Sequence, residues 1–206
     1  MQFQKVVDKH NVLPGIKSRQ SVVIELGCGG QKFQENAIGI DFVDSNAVDI
    51  IADINQGLEF LDDGSVDMVY SSHVLEHLND LEFIMKEIYR VLKPGGINKG
   101  LVPHFSNPYY YSDYTHKVPF GLYSFSYFSK SKFLRRGVPQ FYNSIDFEIR
   151  ELKIVFYSPF KLINVFRKIF TLVFNSSRML LEFYEGSLST IIPAHEIKFE
   201  LQKRKE

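Results

Sequence analysis

Four short apolar runs stand out along the first third of the chain. Val22, Val23, Ile24 and Leu26 make the first, Ala37-Ile38-Gly39-Ile40 the second, Ala47–Ile54 the third and Val66–Ser71 the fourth. Short runs of this kind predict strands buried on both faces of a parallel sheet. Leu81, Ile84, Met85, Ile88, Val91 and Leu92 then recur at helical spacing, which predicts a helix with one face on that sheet. Asn79 with Glu82 three residues later reads as its capping box, and Pro94-Gly95-Gly96 as its stop. Ile97–His104 is the predicted fifth strand, interrupted by Asn98, Lys99 and Gly100. Phe147–Tyr157 alternates like a long strand, and Ile197–Leu201 can pair with it. Residues 2–13 read as a short leading helix stopped by Pro14-Gly15, and Asp62-Asp63-Gly64-Ser65 as a turn.

Two connections depart from the ordinary. Only ten residues, Gly27 to Asn36, join the first strand to the second. A crossover with a full helix needs about that many or more, so the first helix is expected to shrink to about a turn. Residues 159–192 form an insertion before the last strand. Within it FKLINVFRKIFTLVF, with Lys161, Arg167 and Lys168 interspersed, reads as an amphipathic helix. It is expected to dock on the domain or form a homodimer face, with a peripheral membrane contact as the third option.

The chemistry gathers at residues 21–41. The first strand stops at Gly27-Cys28-Gly29-Gly30, and the second run ends in Asp41. Strand, glycine turn, strand and terminal carboxylate is the layout of a nucleoside site at the carboxyl edge of an open α/β sheet. The carboxylate can accept hydrogen bonds from both ribose hydroxyls. A dinucleotide fingerprint is not met, because G-x-G-x-x-G would need glycine where Lys32 stands.

These residues carry a resemblance. Glu25-Leu26-Gly27-Cys28-Gly29, and the run D-M-V-Y-S-S-H-V-L-E-H-L at 67–78 continuing to L-K-P-G-G at 92–96, resemble class I S-adenosylmethionine-dependent methyltransferases. Within that class the chain resembles the small type-11-like family associated with surface-polysaccharide biosynthesis, strongly over residues 20–104 and weakly beyond. The resemblance implies an α/β Rossmann-like fold with a mostly parallel seven-stranded sheet in the order 3-2-1-4-5-7-6. It implies S-adenosylmethionine as cofactor. Glu25, Gly27, Cys28 and Gly29 would surround it at the turn, Asp41 would hold the ribose, Asp53 and Ile54 the adenine, and Phe42 would be a further cofactor-binding residue. Ser71, Ser72 and His73 would line its methionine end.

A further stretch, N-P-Y-Y-Y-S-D-Y-T-H-K at 107–117, resembles a loop of small methyltransferases encoded with polysaccharide-assembly enzymes. A hydroxyl acceptor benefits from a base, and histidine titrates in the right range. His116 is the expected base, Asp113 its orienting carboxylate, and His104 its rival. Lys117, Lys130, Arg135 and Arg136 could pair with a phosphate or carboxylate on the acceptor. A metal reading of His73, Glu76 and His77 is not favoured, because the order H-V-L-E-H differs from the zinc pattern H-E-x-x-H; no metal is expected.

Composition adjusts this picture at its edges. The 206 residues fit one domain, and 45% hydrophobic with 23% charged residues excludes a disordered chain. The single cysteine, Cys28, excludes an internal disulfide and a multi-cysteine metal site. No signal-like apolar core and no run of about 18 apolar residues is present, so a cytoplasmic location is expected. Residues 1–96 hold 8 Lys/Arg against 15 Asp/Glu, residues 97–149 hold 6 against 3, and residues 150–206 hold 10 against 6. The basic second half favours an anionic small-molecule or glycan acceptor, and is too dilute to argue for nucleic acid. Fourteen of the thirty aromatic residues fall in 103–147, which predicts an aromatic wall beside the acceptor. The expected activity is O-methylation of a sugar in surface-polysaccharide assembly. Its rivals are a non-catalytic cofactor-binding module and a membrane-peripheral scaffold of a glycan-assembly complex.

Overall fold

The computed structural model describes residues 5–205. Eight strands form one sheet: β1 (Val7–Asp8), β2 (Val23–Leu26), β3 (Ile38–Asp41), β4 (Ile50–Ile51), β5 (Val66–Ser72), β6 (Leu92–Pro103), β7 (Phe147–Val155) and β8 (Glu196–Lys203). Their order is β1-β4-β3-β2-β5-β6-β8-β7. Strands β4, β3, β2, β5 and β6 run parallel, while β8 inserts antiparallel between β6 and β7. The expected seven-strand order is thus present, with an eighth strand added at one edge. That strand corrects the predicted leading helix: Val7 and Asp8 pair antiparallel with β4. Residues 2–4 of that prediction lie outside the described residues.

Three helices accompany the sheet: α1 (Leu81–Val91), α2 (Lys161–Phe174) and α3 (Arg178–Ser187). Ile84, Met85, Ile88 and Val91 of α1 are buried, as their spacing predicts. The cap is not the predicted one. Asp80 accepts from the Phe83 N–H at 2.9 Å, while Glu82 pairs with Lys86 one turn on. Lys203 from β8 donates to the Tyr89 and Leu92 carbonyls, satisfying the helix's last acceptors from outside. The stop also differs, since α1 ends at Val91 and β6 begins at once, taking in Pro94-Gly95-Gly96. Between β2 and β3 there is no helix at all, only turns.

The polar interruption of β6 has a packing reason. A Cβ on Gly100 would lie 1.9 Å from the Ser71 carbonyl oxygen, so β5 and β6 approach only because that position is bare. Asn98 beside it is fully buried, its amide nitrogen 3.8 Å from the Met85 sulfur. Gly100→Ala should cost about 3 kcal/mol or more in urea unfolding, because backbone rather than a movable side chain blocks the new methyl. A change below about 1 kcal/mol would mean the strands part without penalty.

Candidate cofactor and acceptor site

The carboxyl ends of β2, β3 and β4 converge on one cavity of about 460 Å³. Its walls include Gly27, Asp41, Phe42, Asp53, Ile54 and His73 of the expected cofactor residues. They also include Val74, His77, Thr115 and Lys117, which come from the start of the 75–77 turn and from the loop before residue 118.

Each wall residue is fixed by local physics. Gly27 has φ of 63°, and a Cβ there would lie 2.3 Å from a Val74 methyl, itself part of the wall. The glycine is therefore needed for Val74 to pack as well as for the turn. Asp41 accepts from the Gly29 N–H through Oδ2 and from the Val43 N–H through Oδ1, both at 2.9 Å. Those bonds orient the carboxylate and leave each oxygen a lone pair for a ligand. Asp53 caps the short 54–56 helix by accepting from the Asn55 N–H, which sets Ile54 beside it on the wall.

Other expected cofactor residues support the wall from behind. Glu25 is buried and accepts from the Phe33 and Gln34 N–H groups at 2.9 Å, so it shapes the turn rather than facing the cavity. Cys28 points the opposite way, its sulfur 3.7 Å from the Ala47 carbonyl. Burial, with help from the Asp41 and Glu25 carboxylates, pushes its thiol up to about 11. Native Cys28 should accordingly resist iodoacetamide near neutral pH and react only on unfolding, which mass spectrometry reads directly. Gly29 touches the site through Asp41; Ser71 is fully buried, and neither it nor Ser72 lines the cavity. Lys32, where a dinucleotide fingerprint would have glycine, bridges the Ala37 carbonyl and Asp49 beneath the turn. Burial opposes charge on Asp49, yet bonds from Lys32, the Gly39 N–H and His10 outweigh it and hold that carboxyl low.

His73 stands at the cavity with φ of 55°, an uncommon backbone for a side chain of its size. Its Nε2 lies 3.2 Å from Glu196 and its Nδ1 3.3 Å from Glu76. These carboxylates, Glu196 foremost, hold its pKa up to about 9, so the ring is cationic at neutral pH. Glu76 itself is fully buried, and among the described residues neither of its oxygens has a partner in good hydrogen-bond geometry, the His73 Nδ1 at 3.3 Å being its cation.

The acceptor side differs from the sequence expectation. Asp113 does not orient His116: Nε2 and Oδ2 are 3.7 Å apart, beyond hydrogen-bond range. His116 instead bonds through Nδ1 to the Tyr110 carbonyl at 2.9 Å, and its ring sits between those of His77 and Tyr110. Asp113 accepts from the Thr115 hydroxyl at 2.6 Å, and Thr115 Oγ1 is 2.9 Å from His77 Nδ1. With its proton committed to Asp113, Thr115 accepts from His77 Nδ1–H, which leaves the lone pair on Nε2 of His77. The amide and hydroxyl of Thr115 also hold the Asp113 carboxyl below its usual range. His104 is fully buried between Ser106 and Glu185, outside the cavity wall, for a histidine at the rim of β6 is covered by α3.

Of the four expected cations only Lys117 lines the cavity, with Nζ 2.7 Å from the Asn79 side chain; Lys130, Arg135 and Arg136 lie on other surfaces. No ring of the 103–147 segment lines it either. Phe120 and Phe125 continue into the core against Phe199, and Tyr111, Tyr114 and Phe141 are exposed. The segment contributes Thr115 and Lys117 instead. Adjacent Glu76 and His77 and the distant His116 bring ligand-type atoms within 4.8 Å of one another. Two of its members lie in the H-V-L-E-H run, and the third comes from a different loop, which sequence spacing does not reveal.

Residues 24–98 match the family described as methyltransferase domain. No curated protein sequence matches the chain. Among solved structures, an S-adenosylmethionine-dependent methyltransferase from Archaeoglobus fulgidus is similar at a TM-score of 0.56 and 19% identity, over 93% of this chain and 89% of that one. Geranyl diphosphate C-methyltransferase from Streptomyces coelicolor A3(2) is similar at 0.53 and 12%, over 89% and 71%. Phosphoethanolamine N-methyltransferase 2 from Haemonchus contortus is similar at 0.51 and 14%, over 95% and 52%. The chain thus has the Rossmann-like fold of these methyltransferases, and the segment that matches the family holds the glycine turn, Asp41, Asp53 and His73.

Proposed function

We propose that this chain transfers a methyl group from S-adenosylmethionine to a hydroxyl of an anionic sugar destined for surface polysaccharide. The observation that carries the cofactor reading is the pair of carboxylates, Asp41 and Asp53, set at neighbouring strand ends around one cavity with Gly27 and Ile54. Asp41 would accept from the ribose hydroxyls, Asp53 from the adenine amine, and Ile54 would pack on the ring. S-Adenosylmethionine supplies the electrophilic methyl carbon when bound. An acceptor oxygen would take that carbon, with the carbon–sulfur electron pair left on sulfur.

The acceptor's proton goes to His77 Nε2, the imidazole that lines the cavity with its tautomer set by Thr115 and Asp113. Lys117 and cationic His73 on the same wall suit a negatively charged acceptor or the cofactor carboxylate. Most of the protein's contribution is alignment of the three reacting atoms.

The test is methyl-labelled cofactor incubated with a panel of nucleotide sugars and polysaccharide intermediates. Label in one of them, together with S-adenosylhomocysteine release, supports the reading. Cofactor binding without transfer to any acceptor favours the non-catalytic module. Turnover that survives a chelator keeps His77 as the base, whereas loss restored by a divalent cation would turn Glu76, His77 and His116 into ligands.

A further inference from the structure

Helix α2 is mounted with its polar stripe inward. Asn164 accepts from the Ser158 N–H, Arg167 reaches the Pro193 carbonyl, and Thr171 accepts from the Phe156 N–H. Asn175, just past the helix, bonds both backbone groups of Ile154. Phe170 and Phe174 add ring contacts with Phe156, and Phe174 one with Tyr184. The opposite stripe faces outward: Leu162 is 83% exposed, Leu172 74%, Phe166 64% and Val165 60%, with Ile169 and Val173 near half. The apolar stripe therefore does not pack on the domain, which leaves the other two expected placements, a homodimer face and a membrane contact. An exposed apolar stripe of this extent on one helix marks a contact surface.

The charges say what it contacts. Residues 157–181 hold four basic residues and no acidic one. Arg167 turns inward, and Arg178 lies over the Phe133 ring at 4.1 Å. Lys161 and Lys168, seven residues apart, share one edge of the exposed stripe, and both are exposed with no ion-pair partner among the described residues. Lysines along an apolar stripe can lower their stems with it while keeping their ammonium groups at a polar boundary. No described helix is long and apolar enough to cross a membrane.

We propose that the outward face of α2 lies flat on an anionic lipid surface, with its apolar side chains among the acyl chains and Lys161 and Lys168 at the head groups. Two such faces packed on each other would bring like-charged edges together without counter-charge, whereas anionic lipid supplies it.

The chain has no tryptophan, so Phe166→Trp places a single reporter on the stripe. With vesicles of phosphatidylcholine and phosphatidylglycerol in equal parts, its emission should shift to the blue and the protein should sediment with the lipid. Phosphatidylcholine alone should bind far less. Lys161→Gln and Lys168→Gln should each weaken binding about fivefold, and Leu162→Glu should remove it. These positions are exposed, so the melting transition should stay in place. Unmoved emission with anionic vesicles overturns the proposal. So does a dimer mass in light scattering that Leu162→Glu converts to monomer without any lipid response, since the stripe would then be a subunit contact. Neither result touches the methyl-transfer reading, because no step needs cofactor.

Discussion

Asp41→Ala should weaken S-adenosylmethionine binding about a hundredfold in calorimetry. Two hydrogen bonds from ribose hydroxyls to a charged acceptor are together worth about 3 kcal/mol or more. The carboxylate also holds the Gly29 and Val43 amides, so its loss loosens the turn that walls the cavity. Asp41→Asn separates the two effects. It keeps an acceptor oxygen for one amide and should recover part of the fold stability, but little of the affinity. Unchanged affinity in both variants would remove ribose from this carboxylate and place the nucleoside elsewhere.

The second large effect belongs to His77. His77→Gln should lower kcat by about 10²–10⁴-fold, the range for removing a positioned general base, while leaving cofactor affinity within about twofold. Thr115→Val should cost less, about tenfold, because it frees the ring's orientation without removing the ring. His116→Ala should fall between these, since that imidazole packs on His77 and bonds to Tyr110. The discriminating measurement is the pH profile. Loss of the base flattens the rise of kcat with pH, whereas a purely structural role would lower the whole curve. A His116→Ala profile that flattens while that of His77→Gln does not would return the proton to His116.

What could be read from the chain beforehand follows from which interactions are local. The buried strands, the glycine turn and the strand-end carboxylates are each encoded by a few adjacent residues, and Gly27, Asp41, Asp53 and Ile54 all reach the cavity as expected. Glu25 and Cys28 sit in the same motif but do not line the cavity, because the Phe33 and Gln34 amides hold the carboxylate and the sulfur lies against the Ala47 carbonyl. The Asp113–Thr115–His77 chain was not legible, since residue 77 meets residue 115 only through tertiary packing. Spacing paired Asp113 with His116, and the loop's Asx turn onto Thr115 took that carboxylate instead. The orientation of α2 stayed open in the sequence for a related reason. Amphipathic periodicity says that a helix has two faces, and only the hydrogen bonds of Asn164, Thr171 and Asn175 decide which one is turned inward.

The missing helix between β2 and β3 changes the electrostatics of ligand capture. A nucleotide site in an α/β protein ordinarily gains about half a unit of positive charge from the aligned peptide dipoles of the helix that follows its first strand. Here the chain passes through turns alone, so that permanent source is absent. Beside Lys117, the wall carries an imidazolium whose charge depends on two neighbouring carboxylates. Attraction built from a dipole persists at any acidity, whereas attraction built from a proton is switched off by alkali.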